Sequence, residues 1–111
     1  MEIIAHRINS IKKLKDLPHN FGAEIDIRSY QSSLILNHES YQNGDNLNNF
    51  LENYKHKTLV LNIKEAGIEN DVLKLVKSYS IKSFFLLDVE FPYIYYSYMN
   101  NISEIAIRFS E

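Results

Sequence analysis

The chain has 111 residues, 45% of them hydrophobic, which suits one domain of ordinary size with a buried core. Twelve Lys and Arg residues against fourteen Asp and Glu give a net charge of −2, which disfavours nucleic acid as a main partner. The absence of cysteine excludes disulfides, thiolate zinc sites and cysteine nucleophiles. The polar first residues, and the lack of an apolar run of about 20 residues, predict a cytoplasmic protein without a membrane span.

Short runs rich in β-branched residues alternate along the chain with segments of helical spacing. The runs predict strands at residues 2–6, 22–28, 33–38, 58–64, 83–88 and 104–109. Apolar spacing predicts helices from residue 9 or 10 to before Pro18, at 47–54, at 68–79 and, more briefly, at 93–98. Only residues 29–32 separate the second strand from the third, which is too short for a parallel crossover, so we expect a hairpin there.

This alternation is typical of parallel βα units, and no linker-like segment divides the chain, so residues 1–111 are interpreted as a single domain. Polar residues fall at the carboxyl ends of the predicted strands. In α/β barrels and open parallel sheets, active sites assemble at that edge. The candidates there are His6, Arg7, Glu24, Asp26, Arg28, His38, Glu39, Asn62, Lys64, Asp88 and Arg108.

Glu24 and Asp26 are two residues apart on a predicted strand, so their side chains leave the same face. Two neighbouring carboxylates repel each other, and a divalent cation between them removes that repulsion. Oxygen ligands favour Mg²⁺, Ca²⁺ or Mn²⁺ over zinc. The alternative interpretation is an alternating strand with one face in solvent.

Two histidines, His6 and His38, each end a predicted strand. An imidazole takes up or releases a proton near neutral pH, so the pair can serve as base and acid. Arg7 has the planar donor fork that suits a phosphate, although it could equally be a surface cation. The other two histidines, His19 and His56, lie in turn-like polar segments and are assigned to solvent.

Asn62 and Lys64 repeat the two-residue spacing on the next long strand. Lys64 could offset phosphate charge, and the Asn62 carbonyl oxygen could bind the metal. The alternative is that Asn62 bonds to nearby backbone and Lys64 simply ends the strand. Asp88 and Arg108 have the same ambiguity with less support.

The runs Ile3-Ile4-Ala5-His6-Arg7, Gly22-Ala23-Glu24-Ile25-Asp26-Ile27-Arg28 and Leu34-Ile35-Leu36-Asn37-His38-Glu39 together resemble the start of the glycerophosphodiester phosphodiesterase family. That family belongs to the phosphatidylinositol-phospholipase-C-like barrels. The resemblance covers residues 3–39. It implies an incomplete TIM barrel, with about five parallel strands of the eight in a closed barrel.

By this resemblance, His6 and His38 are the acid/base pair that cleaves a phosphodiester. Arg7 binds the phosphate, and Glu24 and Asp26 bind a divalent metal. Three departures stand out. Ile8 replaces the usual Gly, and Asn9-Ser10 is the nearest remnant of the Glu-Asn-Thr element that follows it in the family. Asn62 replaces an acidic ligand two residues before Lys64, and the chain is about half the length of the family's barrel.

Three hypotheses follow. The first is a metal-dependent phosphodiesterase acting on a small glycerophosphodiester or similar compound in lipid or surface-polysaccharide metabolism. The second is a phosphate-binding protein without catalysis, since a neutral Asn62 would weaken metal affinity. The third is a fragment, or a chain that completes its sheet as a homodimer, because unpaired edge strands favour pairing.

Overall fold

A computed structural model describes residues 2–81 and 83–87 of the chain. Six strands and three helices lie in these residues. The strands are β1 (Ile4–Ala5), β2 (Gly22–Tyr30), β3 (Ser33–Leu36), β4 (Asp45–Asn46), β5 (Leu59–Ile63) and β6 (Phe84–Leu87). The helices are α1 (Ile11–Asp16), α2 (Leu47–Glu52) and α3 (Glu69–Ser78). The strand expected at 104–109 and the helix expected at 93–98 lie outside the described residues.

The strands form one mixed sheet in the order β4-β3-β2-β5-β6, with β1 also pairing β2. β2 runs parallel to β1 and β5, and β5 runs parallel to β6. The β2–β3 and β3–β4 pairs are antiparallel. β1 and β3 pair with opposite ends of β2, so they share the edge of β2 that faces away from β5.

The predicted incomplete TIM barrel of about five parallel strands is wrong. The described residues form a small mixed α/β domain in which β3 and β4 run against β2 and β3. The tight turn at Gln31 and Ser32, whose positive φ values of 49° and 67° are the geometry of a two-residue hairpin, reverses the chain between β2 and β3. The predicted hairpin is thereby confirmed, and the two-residue strand β4 extends it.

The two faces of the sheet have different chemistry. Because side chains alternate along a strand, Ile25 and Ile27 of β2 share one face with Leu61 of β5. These residues are buried in one core with the apolar sides of the three helices, including Leu14, Phe50 and Val76. Glu24, Asp26 and Asn62 are buried on the opposite face.

Each of the first two helices begins at a polar cap. Ser10 Oγ accepts from the Lys13 N–H at the start of α1, and Asn46 Oδ1 accepts from the Asn48 N–H at the start of α2. Asp45 Oδ2 also accepts from the Ile11 N–H at 2.7 Å, which connects β4 to α1. Among the described residues no helix combines the length and apolarity needed to cross a bilayer.

Candidate active site

The structure gathers the seven predicted site residues around one cavity of about 400 Å³. The cavity lies where the carboxyl ends of β1, β2 and β5 meet, and it is lined by His6, Arg7, Glu24, Asp26, His38, Asn62, Lys64 and Leu87. Their roles in catalysis and binding stay predictions. Asp88 and Arg108, the weaker candidates, lie outside the described residues.

The parallel register of β2 and β5 positions the polar centre of this cavity. Asp26 is the direct partner of Asn62, and Glu24 lies one side-chain position earlier on the same face. All three side chains are buried, with 7% of Glu24, 1% of Asp26 and 4% of Asn62 exposed. Burial of two carboxylates costs free energy, which opposite charges or hydrogen-bond donors must offset.

His6 and Arg7 enter the cavity from the loop after β1. The His6 Nδ1–H donates to Glu24 Oε1 at 3.2 Å, while the His6 side chain is 80% exposed. Arg7 has a left-handed backbone, with φ 53°, which is strained for a residue with a Cβ. The next residue, Ile8, donates its N–H to the Glu24 carbonyl at 2.9 Å, which fixes the chain directly after Arg7.

His38 lies against the second carboxylate. Its Nδ1 is 3.4 Å from Asp26 Oδ2, an ion-pair distance without hydrogen-bond geometry. Lys64 Nζ is 3.8 Å from Asp26 Oδ1, so both oxygens of Asp26 have a nitrogen neighbour. Each histidine therefore has a carboxylate beside its Nδ1, an arrangement that fixes the direction of an imidazole ring.

Arg28 holds the chain that carries His38. Its Nε donates to the Asn37 carbonyl at 3.2 Å and its Nη2 to the His38 carbonyl at 2.8 Å. The sequence indicates Arg28 only as a polar residue at the end of a strand. Nothing in the sequence signals that it binds main chain nine or ten residues away.

Asn9 is a site residue that the sequence reasoning missed. Its Nδ2 donates to Asp26 Oδ2 and its Oδ1 accepts from the Asp26 N–H, both at 2.8 Å. The sequence indicates Asn9 as a start of the first helix and, by the family resemblance, as part of the nearest remnant of a Glu-Asn-Thr element, but it indicates no contact with Asp26. Its position three residues after His6 was the available signal, because the loop after a strand end lies at the same sheet edge.

The donor set of the cavity fits a hard divalent cation in part. Asn62 Oδ1 is a buried oxygen with no hydrogen-bond partner in the described part of the chain, and it lies on the same face as Glu24 and Asp26. A buried, unsatisfied oxygen is costly, and coordination of a cation removes that cost. However, no group of three or more His, Asp or Glu side chains is arranged for a metal within residues 2–81 and 83–87.

The other two histidines lie away from the cavity. His19 is exposed, as expected, but the assignment of His56 to solvent is wrong, since it is half-buried. The His56 Nε2–H donates to the Leu17 carbonyl at 2.7 Å, and its ring packs against those of His19 and Tyr54. His56 therefore connects the end of α1 to the chain before β5.

Comparisons with protein-family models, with curated proteins and with solved structures found no match for this chain.

Proposed function

We propose that this protein is a metal-dependent phosphodiester hydrolase similar to the glycerophosphodiester phosphodiesterases. The observation that carries the proposal is the convergence of two histidines, two cationic side chains and two carboxylates on one cavity. These residues come from four separate segments of the chain, and together they can transfer protons, offset phosphate charge and bind a cation.

In the proposed reaction, one imidazole of the pair His6 and His38 takes a proton from a water molecule as its oxygen attacks phosphorus. The other imidazole gives a proton to the leaving alcohol oxygen as its bond to phosphorus breaks, so the proton count balances. The neighbouring carboxylates support this division, since Glu24 is 3.2 Å from His6 and Asp26 is 3.4 Å from His38. Arg7 and Lys64 offset the negative charge on the phosphoryl oxygens.

Glu24, Asp26 and the unpartnered oxygen of Asn62 are the residues that would hold the cation, for which Mg²⁺, Ca²⁺ or Mn²⁺ are the candidates. A bound divalent cation supplies a Lewis acid that polarises a phosphoryl oxygen. One neutral oxygen in this set predicts weaker metal binding than three carboxylates would give.

The test is hydrolysis of a glycerophosphodiester and of a chromogenic aryl phosphodiester, with each of the three metals in turn. We expect turnover by the wild-type protein, and a loss of about 100-fold or more in kcat for His6→Ala and for His38→Ala. His19→Ala is the matched control, because His19 is exposed and does not line the cavity. Turnover that survives both site substitutions would contradict the assigned roles.

A phosphate-binding protein without catalysis is the second candidate, favoured by the neutral side chain of Asn62 beside Asp26. It predicts that inorganic phosphate raises the melting temperature through Arg7 and Lys64, while no phosphodiester is hydrolysed. The same assays separate the two candidates, since only the first predicts turnover.

The proposed partner is a small-molecule phosphodiester, and a homodimer is proposed as the state of the chain. Sedimentation velocity at several protein concentrations tests the homodimer, and a concentration-independent monomer would contradict it. A cytoplasmic location is part of the same proposal, and the lack of cysteine is consistent with a reducing compartment.

A further inference from the structure

We infer that Asn9 is a positioning residue for Asp26 and, through Asp26, for His38. This inference rests on the proposed function, because it assigns Asn9 a part in the same site. It starts from the edge of β2 that faces away from β5. On that edge β1 pairs as far as Ala23 and β3 begins to pair at Ile27, which leaves a gap in the strand pairing.

In this gap the main-chain N–H and C=O groups of β2 form hydrogen bonds with residues that do not belong to a neighbouring strand. The Glu24 carbonyl accepts from the Ile8 N–H, and the Asp26 carbonyl accepts from the Asn37 N–H. The remaining group, the Asp26 N–H, donates to Asn9 Oδ1 at 2.8 Å. The Asn9 side chain therefore occupies the place that a neighbouring strand would take.

The same amide also binds the Asp26 carboxylate, with Nδ2 2.8 Å from Oδ2. A single planar amide thus binds both the main chain and the side chain of Asp26, which fixes the plane of its carboxylate. Oδ2 is then presented to His38 Nδ1 at 3.4 Å, and Oδ1 is directed to Lys64 Nζ at 3.8 Å. Loss of the Asn9 donor would let the carboxylate rotate away from this arrangement.

Asn9 also stabilises the strained loop that presents Arg7. The left-handed Arg7 is followed by Ile8 and Asn9, both of which bind β2, at Glu24 and at Asp26. The hydrogen bonds of Ile8 and Asn9 to β2 fix the backbone directly after Arg7. Strained backbone persists at functional sites when the surrounding contacts fix it in this way.

Two substitutions separate the functions of the Asn9 amide. Asn9→Ala removes both hydrogen bonds, whereas Asn9→Asp keeps an acceptor for the Asp26 N–H and loses the donor to Oδ2. The control is Asn53→Ala, because the Asn53 side chain donates to the Asn49 carbonyl, at the end of α2 and away from the cavity.

The readouts are kcat and KM with the aryl phosphodiester at saturating Mn²⁺, and the imidazole nitrogen signals of the four histidines by NMR. For both Asn9 variants we expect kcat to fall by about 10- to 100-fold with little change in KM. We expect the His38 signals to shift while those of His56 stay in place. Asn53→Ala should leave kcat and all four signals unchanged.

Wild-type kcat in Asn9→Asp, or an unmoved His38 signal in a folded Asn9 variant, would overturn the positioning role. Equal displacement of the His38 and His56 signals would also overturn it, since that pattern reports a general loss of structure. If the wild-type protein hydrolyses nothing, the proposed function fails. The His38 signals then decide the positioning role independently of turnover.

Discussion

At the scale of single residues, the amide of Asn62 is the weakest point of the proposed metal site. It is a neutral ligand on the same face as two buried carboxylates, and its Oδ1 has no hydrogen-bond partner among the described residues. We therefore expect Asn62→Asp to bind Mn²⁺ more tightly, on the order of tenfold, because ligand charge raises cation affinity. Isothermal titration calorimetry measures this change directly.

The same substitution has an opposite effect without metal. A third carboxylate beside Glu24 and Asp26 adds repulsion, so the free energy of unfolding should fall by about 1 kcal/mol or more in the presence of a chelator. Asn53→Asp adds the same charge away from the cavity and serves as the control. Unchanged metal affinity in Asn62→Asp would mean that Asn62 lies outside the site.

Arg28 shows how a residue can act on the site through the main chain alone. We expect Arg28→Lys to lower the free energy of unfolding by on the order of 1 kcal/mol, because an ammonium cannot span the Asn37 and His38 carbonyls as the guanidinium does. Chemical denaturation measures the loss. Ser29→Ala is the control, since Ser29 contacts Glu65 rather than the His38 segment. A stability equal to that of the wild type would contradict the role of Arg28.

The sequence could predict much of the cavity lining but not what supports it. Glu24, Asp26, Asn62 and Lys64 were found because a spacing of two residues puts side chains on one strand face. Arg28 and Asn9 act through main-chain groups distant in sequence, and such partners leave no local pattern. The contact of Asn9 with Asp26 spans 17 residues, so only the folded chain reveals it.

At the scale of elements, Glu2 connects the start of β1 to the start of β5. Its Oε1 accepts from the Thr58 N–H at 2.6 Å and its Oε2 from the Thr58 hydroxyl at 2.9 Å. The hydrogen bond from the Thr58 N–H, and to a smaller extent the one from the Thr58 hydroxyl, hold the pKa of Glu2 below its ordinary value of 4.5. A carboxylate with a lowered pKa adds stability above pH 4.5 and loses it as the pH falls through the folded-state pKa.

We therefore expect Glu2→Gln to lower the melting temperature at about pH 7, with a difference from wild type that shrinks as the pH is lowered from 4.5 toward about pH 3. Melting curves by circular dichroism across this range measure it. Glu39→Gln, at an exposed position whose carboxylate makes none of the hydrogen bonds seen in the described chain, is the control. A difference for Glu2→Gln that is equally large at both pH values would contradict the linkage.

Gly22 allows the close approach that this connection needs. A Cβ at this position would lie 2.5 Å from the Thr58 carbonyl oxygen and 3.1 Å from Glu2 Oε1. Gly22→Ala should therefore lower the free energy of unfolding by about 1–3 kcal/mol, because backbone has to move to admit the methyl group. Urea denaturation tests this value, and a variant as stable as the wild type would contradict it.

The elements themselves were predicted to different degrees. The three helices and the hairpin follow from apolar spacing and from the short segment at 29–32. The pairing of the whole sheet does not, because β4 has two residues, Asp45 and Asn46, and no strand pattern can be recognised in so short a run. Its antiparallel pairing with β3 is one reason that the predicted TIM-barrel fragment of about five parallel strands is wrong.

At the scale of the whole molecule, the sheet has the apolar core on one face and the proposed site on the other. The face packed on the three helices is apolar and buried, and its residues determine the free energy of folding. The opposite face buries the carboxylates of Glu24 and Asp26, and burial of a charge costs free energy. A ligand that neutralises this pair must therefore stabilise the folded chain as a whole.

Addition of Mn²⁺ should accordingly raise the melting temperature, and a chelator should reverse the rise. At a free concentration of about 100 times Kd, the expected gain in the free energy of unfolding is about 2.7 kcal/mol. For a domain of this size each kcal/mol is worth several degrees, so differential scanning calorimetry resolves the effect. Asp26→Asn keeps the side-chain volume but removes one ligand charge, so it should abolish the response to Mn²⁺. A response that persists in Asp26→Asn would mean that the cation binds elsewhere on the chain.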